Sequence, residues 1–174
     1  TSDARPEAAL QALDLGARDF VVKPGPRVTD LSALGPGLVA KVHGLASEQP
    51  QPMVWDESSQ VEVPAPGLIA IGASTGGPGA LRDILERFER PPRCPVAIAQ
   101  HMPFRFTRAF ADRLARSTGL DVREVEDEEP LRTGAIRVGR GGAHMRLEAR
   151  GDEVFYRVHE KSSAERWAPS VDAL

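Results

Sequence analysis

Ser74 and His101 are the residues of this chain whose types and surroundings could support nucleophilic chemistry. Ser74 lies in a turn of small residues that ends an apolar run, and His101 directly follows a second apolar run, 95–100. An imidazole within hydrogen-bonding reach of a hydroxyl can take its proton and make the oxygen a nucleophile. The pair therefore predicts an acyl-transfer or hydrolysis reaction, on the condition that the fold brings the two side chains together.

The turn around Ser74 by itself allows three interpretations. Ser74 could cap the helix that follows, since a serine oxygen can accept a free N–H of a first helical turn. The turn could also cradle a phosphate or a dinucleotide, although it contains neither a Lys-Ser/Thr pair nor the G-x-G-x-x-G pattern. In the third interpretation Ser74 is a nucleophile on a sharp turn, because Gly72, Ser74 and Gly76 satisfy the G-x-S-x-G pattern.

The segments on either side of the turn predict the elements that position these residues. The run 68–71 is apolar without alternation, which is typical of a strand covered on both faces. Residues 78–88 then place their large apolar side chains on one helical face. With the run 95–100 this makes a strand, helix, strand unit whose strands run parallel. Because parallel neighbours end at the same sheet edge, roughly 4.8 Å apart, Ser74 and His101 are expected to lie side by side.

Three motifs in order carry a resemblance to a known family. They are Ala-Ile-Gly-Ala-Ser-Thr-Gly-Gly at 70–77, Gln-His-Met-Pro at 100–103 with the helix that follows, and Pro-Ser-Val-Asp at 169–172. Together they resemble the chemotaxis protein-glutamate methylesterases of the CheB family. The resemblance implies that Ser74 is the nucleophile and His101 its base. It also implies that Thr75 and Gly76 belong to the active-site loop that holds the oxyanion.

A third triad residue is implied by the same resemblance. It is an aspartate in a later glycine-rich loop, and it is expected beyond Leu174. Asp172 is not expected to fill this role, because residues 169–172 have the pattern of a helix start, where the helix dipole explains a carboxylate. Ala143 and Ala168 stand where the family pattern usually has polar or basic residues, so contacts with the substrate peptide are expected to differ there.

The fold expected for residues 67–174 is α/β, as the N-terminal part of a CheB-type methylesterase domain with a parallel, Rossmann-like three-layer sheet. Short apolar runs at 135–138, 145–149 and 154–158 add strands, and Gly151-Asp152 predicts a hairpin turn between the last two. The acidic cluster 124–129 is predicted to be a solvated loop.

Residues 1–46 are predicted to form a helix, a strand at 20–22 and a final amphipathic helix over 31–45. The apolar face of the first helix runs from Ala8 to Leu15 and ends at Gly16. This segment resembles the last third of a flavodoxin-like response-regulator receiver domain. The polar, proline-punctuated residues 47–66 are predicted to be a linker.

The receiver resemblance assigns roles to three residues. Thr1 stands at the switch hydroxyl, Phe20 at the switch aromatic and Lys23 at the phosphate-contacting lysine. Mg²⁺ is expected only for the receiver domain, whose metal-binding part would precede Thr1. Because the chain begins with threonine and lacks that part, we expect it to be an excerpt of a longer protein.

Composition and charge argue against other classes of protein. The formal net charge of -3 argues against a nucleic-acid surface, and no apolar segment reaches the length of a membrane span. The single cysteine, Cys94, cannot form an internal disulfide and fits a reducing, cytoplasmic environment. Its spacing from His144 and His159 is not that of a zinc site, and no metal or organic cofactor is expected for catalysis.

The function implied by the resemblance is hydrolysis of glutamate methyl esters on the cytoplasmic helices of chemoreceptors, together with deamidation of glutamines. The receiver domain implies control by the histidine kinase of the chemotaxis system. The alternative is a noncatalytic, receiver-linked regulatory module that binds a phosphorylated or nucleotide partner at the glycine-rich turn.

Overall fold

The computed structural model describes residues 6–23, 32–47, 67–162, 168–170 and 173–174. In chain order the elements are α1 (Pro6–Asp14), a single 3₁₀ turn (Ser32–Leu34), α2 (Gly35–Ser47), β1 (Ile69–Ala73), α3 (Gly77–Leu85), β2 (Val96–Gln100), α4 (Phe104–Thr118), β3 (Val122–Glu124), β4 (Ile136–Val138), β5 (Ala143–Arg150) and β6 (Glu153–Glu160). In the described part of the chain, no helix is long and apolar enough to cross a membrane.

Within the described ranges, the central sheet has four parallel strands in the order β1-β2-β4-β3. All five residues of β2 are buried, since this strand has a neighbour on each side and is covered on both faces. The α/β class with a parallel sheet is therefore confirmed. The receiver assignment of the first residues stays a prediction.

Strand β1 differs from its prediction, because the described part of the chain does not cover it on both faces. Among the described residues it pairs only with β2, and its residues alternate between half-buried and exposed. Ala70 and Gly72 are the exposed members. An apolar run without alternation is typical of burial on both faces. The exposed positions are an alanine and a glycine, whose small apolar surface makes their exposure cost little.

The main core lies between this sheet and the helices α3 and α4. It is formed by Leu81, Leu85, Phe106, Phe110 and Leu114 from the helices, packed against Val96, Ile98, Ile136 and Val138 from the sheet. Each fully buried side chain of this kind contributes roughly 1.5–3 kcal/mol relative to exposure. Gly119, with a φ of 71°, ends α4 in the left-handed conformation typical of a helix C-terminus. This packing holds the strand ends that carry Ser74 and His101.

The predicted hairpin is confirmed as β5 and β6, an antiparallel pair with Gly151 at φ 63° in its turn. It packs near β2 on the face opposite to the one that carries Val96 and Ile98. Its Met145 and Tyr156 form a second core cluster with Ala97 of β2 and with Val125.

The prediction that the acidic cluster 124–129 is a solvated loop is wrong for two of its members. Glu124 belongs to β3 and accepts a hydrogen bond from the buried Thr107 hydroxyl. Glu129 accepts a bond of 2.5 Å from Arg137, whose side chain is only 1% exposed. A guanidinium so deeply buried needs a carboxylate partner, and this requirement draws Glu129 inward.

Helix α1 packs against α3 and α4, although its buried face differs from the one predicted. Leu10 and Leu13 are buried with Ala9, whereas Leu15 is 82% exposed because the helix ends before it. Asp14, the last helical residue, pairs with Arg82 at 3.4 Å and also with Arg113.

The predicted strand at 20–22 is absent, since these residues belong to no helix or strand. A strand needs a neighbour to satisfy its backbone, and Phe20 instead stacks on Phe106 with ring centroids 4.7 Å apart. Helix α2 buries none of its described side chains, and Leu38, Val39 and Val42 are between 50% and 56% exposed. Residues 48–66 of the predicted linker lie outside the described residues.

Candidate active site

Ser74 and His101 occupy matching positions at the carboxyl edge of the sheet. Ala73 and Gln100, the last residues of β1 and β2, are paired in the parallel ladder, and the His101 N–H donates to the Ala73 carbonyl at 2.8 Å. Ser74 and His101 are therefore the first residues beyond two adjacent strands. Both line a cavity of about 620 Å³. The topology thus brings the hydroxyl and the imidazole to one concave site.

The turn after Ser74 is built from glycines that other residues could not replace. Gly76 has a φ of 75°, in the left-handed region that favours glycine. A β-carbon on Gly77 would lie 2.9 Å from that of Ala73 and still closer to the side-chain oxygen of Gln100. Gly77 opens α3, and its N–H donates to the Ser74 carbonyl at 2.9 Å. Ser74 is thus held where α3 begins.

Helix capping does not account for Ser74. The N-cap residue of α3 is Gly76, and no side chain makes a capping hydrogen bond there. Ser74 itself is exposed to the cavity. Of the three interpretations of the turn, the capping serine is the one that this geometry contradicts.

Gln100 is the residue of this site that the sequence reasoning did not single out. Its side chain is 1% exposed, and its Nε2 donates to the Ser74 carbonyl at 3.0 Å and to the His101 carbonyl at 3.2 Å. The available signal was a polar residue at the end of an apolar strand, directly before His101. A buried amide at such a place must find partners, and here its partners are the backbones of both candidate catalytic residues.

His101 is half-buried, and its environment favours the neutral imidazole. Burial lowers its pKa below the ordinary value of 6.5, and the nearby Lys41 ammonium lowers it further. The Asp19 carboxylate opposes part of this effect, and the Lys161 ammonium adds to the lowering. Neutral imidazole is the form that can accept a proton. At neutral pH the environment therefore favours the uncharged form of His101, which a general base requires.

Helix α2 closes one side of the cavity. Gly37, Ala40 and Lys41 line it together with Ser74 and Thr75. Lys41 is held by an ion pair of 2.5 Å with Asp19, whose side chain is only 9% exposed. His101 and Lys41 also line a second cavity of about 430 Å³, together with Phe20 and Lys161 among others. The segment that resembles a receiver domain thus lines part of the candidate site.

Of the other predicted residues that the structure describes, Phe20 and Lys23 do not line the cavity that contains Ser74. Lys23 is exposed and is not among the residues that line either cavity. Phe20 lines the second cavity and packs on Phe106. Thr1 and Asp172 lie outside the described residues. Within the described ranges, His, Cys, Asp and Glu side chains form no cluster of three or more suited to a metal ion.

The two departures from the family pattern are buried. Ala143 is 1% exposed and Ala168 is 7% exposed, and the Gly142 N–H donates to the Ala168 carbonyl at 3.1 Å. Residues 168–170 are not helical. Pro169 and Ser170 line the cavity beside Ser74, and the Ser170 N–H donates to Nδ1 of His144 at 3.3 Å. In this chain the two alanines are thus buried, and neither lines the cavity that contains Ser74.

The sequence of this chain is similar to those of known proteins. A family model described as CheB methylesterase matches residues 69–174. The chain is 36% identical over 169 residues to a protein-glutamate methylesterase/protein-glutamine glutaminase of Myxococcus xanthus, covering 95% of this chain and 49% of the relative. It is 37% identical over 175 residues to a protein of the same name from Escherichia coli, covering 97% of this chain and 50% of the relative. The chain thus spans about half the length of these curated relatives.

A solved structure is also similar. It is the crystal structure of the Thermotoga maritima CheB methylesterase catalytic domain, with a TM-score of 0.58 and 33% sequence identity. The similarity covers 62% of this chain and 57% of that one.

Proposed function

The chain belongs to the CheB methylesterase family, and we propose that the protein carrying it is a protein-glutamate methylesterase of bacterial chemotaxis. It hydrolyses glutamate methyl esters on the cytoplasmic helices of methyl-accepting chemoreceptors, and it deamidates glutamines there. The observation that carries this proposal is the placement of Ser74 and His101 beyond paired strand ends, in one cavity. Ser74 is the nucleophile, and His101 is its general base.

In the first half of the reaction, His101 takes the hydroxyl proton as the Ser74 oxygen attacks the ester carbonyl. The carbonyl oxygen becomes an oxyanion, which the backbone N–H groups of Thr75 and Gly76 stabilise. When the tetrahedral intermediate collapses, the C–O bond to the methoxy group breaks and His101 returns the proton to it. Methanol leaves, and the glutamate side chain remains as an ester of Ser74.

Water completes the reaction. His101 takes a proton from a water molecule, whose oxygen attacks the acyl group, and the proton then passes to the departing Ser74 oxygen. The products are a glutamate carboxylate and the regenerated hydroxyl. With a glutamine substrate the same steps release ammonia in place of methanol. In keeping with the family, an aspartate beyond Leu174 would orient His101 and stabilise its cation. No step requires a metal or an organic cofactor.

Receiver control of this activity is part of the proposal. Residues 1–46 form the end of a receiver domain that accepts its signal from the histidine kinase of the chemotaxis system. Receiver control is supported by the position of α2, whose Gly37, Ala40 and Lys41 line the same cavity as Ser74. Movement of this helix would change access to Ser74. The protein acts in the cytoplasm, where the receptor helices are.

The direct test uses a full-length protein that carries this chain and a methylated chemoreceptor cytoplasmic fragment. We expect methanol release together with conversion of methyl ester to carboxylate, measured by mass spectrometry of the receptor peptides. A protein that binds phosphate or nucleotide at the glycine-rich turn but releases no methanol, with and without a phosphodonor for the receiver, would instead be a noncatalytic regulatory module.

The pH dependence of kcat/KM is expected to reflect the ionisation of the His101 imidazole. Protonated imidazole cannot accept the serine proton, so activity falls as the pH drops through the pKa of His101. Within this chain burial and Lys41 lower that pKa, whereas the aspartate proposed beyond Leu174 would raise it, so the test is the displacement of the acid limb between variants. Replacing Lys41 (Lys41→Met) removes one lowering charge and leaves the opposing Asp19 carboxylate. The limb should then move to higher pH.

Arg93→Met is the matched control for this shift. Arg93 is exposed just before the amino end of β2, whereas His101 follows the carboxyl end of the same strand. At a Debye length of about 8 Å in physiological salt, its charge is screened from His101. An acid limb that stays in place in Lys41→Met, or moves to lower pH, would contradict the electrostatic account of the site.

A further inference from the structure

We propose that Gln100 is a positioning residue that sets the geometry between Ser74 and His101 through their backbone carbonyls. This role rests on the proposed function of those two residues. The observation behind it is one buried NH₂ group that donates both to the Ser74 carbonyl at 3.0 Å and to the His101 carbonyl at 3.2 Å. The loops after β1 and β2 are thus tied together beyond the last pair of the strand ladder.

The orientation of the Gln100 amide is determined by its surroundings. Turning the amide over would place its oxygen against two carbonyl oxygens, which repel it, whereas Nε2 donates to both. In the observed orientation Oε1 is buried without a hydrogen-bond partner. A buried acceptor left in this way is unfavourable. The fold therefore tolerates an unpartnered Oε1 atom, because the amide in this orientation donates to both carbonyls.

Gly77 makes room for this amide. A β-carbon at position 77 would overlap Oε1 of Gln100, so the turn after Ser74 can hold the amide only with glycine there. The Gly77 N–H donates to the same Ser74 carbonyl as Gln100 does. The Ser74 carbonyl therefore has two donors that fix its direction.

The direction of that carbonyl determines the direction of the next N–H. In a trans peptide the C=O and the following N–H point in opposite directions. Holding the Ser74 carbonyl toward Gln100 therefore turns the Thr75 N–H away from Gln100. Thr75 lines the cavity with Ser74, and its N–H is one of the groups proposed to stabilise the oxyanion. Gln100 thus positions both the base and an oxyanion donor without touching the substrate.

The test is Gln100→Met in the full-length protein, since methionine has a similar length and no donor. We expect the variant to stay folded and to bind methylated receptor with KM nearly unchanged. Its kcat should fall about 100-fold, the scale expected for a misplacement of about 1 Å in an active site. A kcat equal to that of the unmodified protein in a folded variant would overturn the proposal.

Ile98→Met is the control for packing. Ile98 lies on the same face of β2, two residues before Gln100, and it is fully buried. Its replacement disturbs the core but leaves both carbonyls with their donors. We expect its kcat to follow the folded fraction alone. If Gln100→Met lost no more kcat than Ile98→Met at equal folded fraction, Gln100 would be only structural.

Gln100→Glu adds a signature that loss of packing cannot produce. A buried, protonated carboxyl group can still donate one hydrogen bond, whereas a carboxylate would repel both carbonyls. The variant should therefore gain a new alkaline limb in its pH profile, with kcat falling as the acid ionises. A profile with the same shape as that of the unmodified protein would contradict the positioning role.

A fluorophosphonate probe separates this proposal from the methylesterase proposal. The probe phosphonylates an activated serine with loss of fluoride, whatever the natural substrate is. If Ser74 is labelled but no methanol is released from methylated receptor, the substrate assignment fails and the Gln100 proposal can still be tested. We expect Gln100→Met to slow labelling about as much as it lowers kcat. Equal labelling rates in the folded variant and the unmodified protein would reject the Gln100 role alone.

Discussion

Ser74→Ala in the full-length protein is expected to abolish methanol release from methylated receptor while leaving the fold intact. Removing the nucleophile serine of a hydrolase lowers kcat by about 10⁶-fold in the best-measured case. Ser74 is exposed and is not the N-cap of α3, so the change should alter stability by only about 0.5 kcal/mol. This substitution should therefore greatly reduce turnover while hardly changing the midpoint of thermal unfolding. Measuring both quantities on the same variant distinguishes a lost nucleophile from a lost fold.

Ser117→Ala provides the matched control. Ser117 is an exposed serine of α4 whose hydroxyl donates to the Leu114 carbonyl, and it does not line the cavity with Ser74. This variant should keep its turnover. If Ser74→Ala also kept it, Ser74 would have no chemical role, and the hydrolysis would have to use another nucleophile.

The elements that position this serine could be predicted because they form one local unit. The apolar run of β1, the glycine turn, the amphipathic α3 and the apolar β2 follow one another within 69–100. A connection of this kind has one favoured geometry, with parallel strands that end at the same edge. That single rule places Ser74 and His101 together before any coordinate is known.

The errors arise where the local pattern depends on distant partners. Strand β3 is only three residues long, and it is polar at Arg123 and Glu124. Its pairing with β4 and the bond from Thr107 define it, and neither is visible in a window of sequence. The apolar residues 20–22 fail as a strand for the same reason, because Phe20 finds its partner in Phe106. Short segments take their structure from tertiary contacts.

Gln100 shows the same limit within the site. From the sequence alone, the side chain of a glutamine at the end of an apolar strand could be either buried or exposed. Only the fold reveals that the Ser74 carbonyl lies beside it, because these residues are 26 positions apart in the chain. The sequence could therefore predict that Ser74 and His101 lie beside each other, whereas the buried amide that contacts both of their carbonyls could not be predicted.

The second large effect is expected from Gly141→Ala, which should disrupt the segment that follows His101. A β-carbon on Gly141 would lie 2.6 Å from the Phe104 nitrogen and 2.7 Å from the Pro103 carbonyl carbon, and still closer to the Met102 oxygen. All three atoms are backbone, so no side-chain rotation relieves the overlap. We expect a loss of about 3 kcal/mol, the upper part of the range for overpacking a core.

Activity should fall together with stability in this variant. Residues 102–104 directly follow His101, and the Gly141 N–H donates to the Thr107 hydroxyl at 3.2 Å, which ties the turn to α4. Pushing this backbone aside displaces the imidazole, and a shift of about 1 Å can lower the rate about 100-fold in the molecules that remain folded. The measurements are thermal unfolding and kcat per folded molecule.

Gly139→Ala, two residues earlier in the same turn, is the control that makes this prediction specific. Gly139 is buried too, but a β-carbon there would meet its nearest atom, the Ile98 carbonyl oxygen, at 3.4 Å, which is ordinary contact. It should therefore lose far less stability than Gly141→Ala and keep its kcat. Equal losses in the two variants would mean that the close backbone contacts at Gly141 do not determine the cost. A stable, active Gly141→Ala would show that the His101 segment can move without harm, and the close backbone packing at Gly141 would then have no part in holding the base.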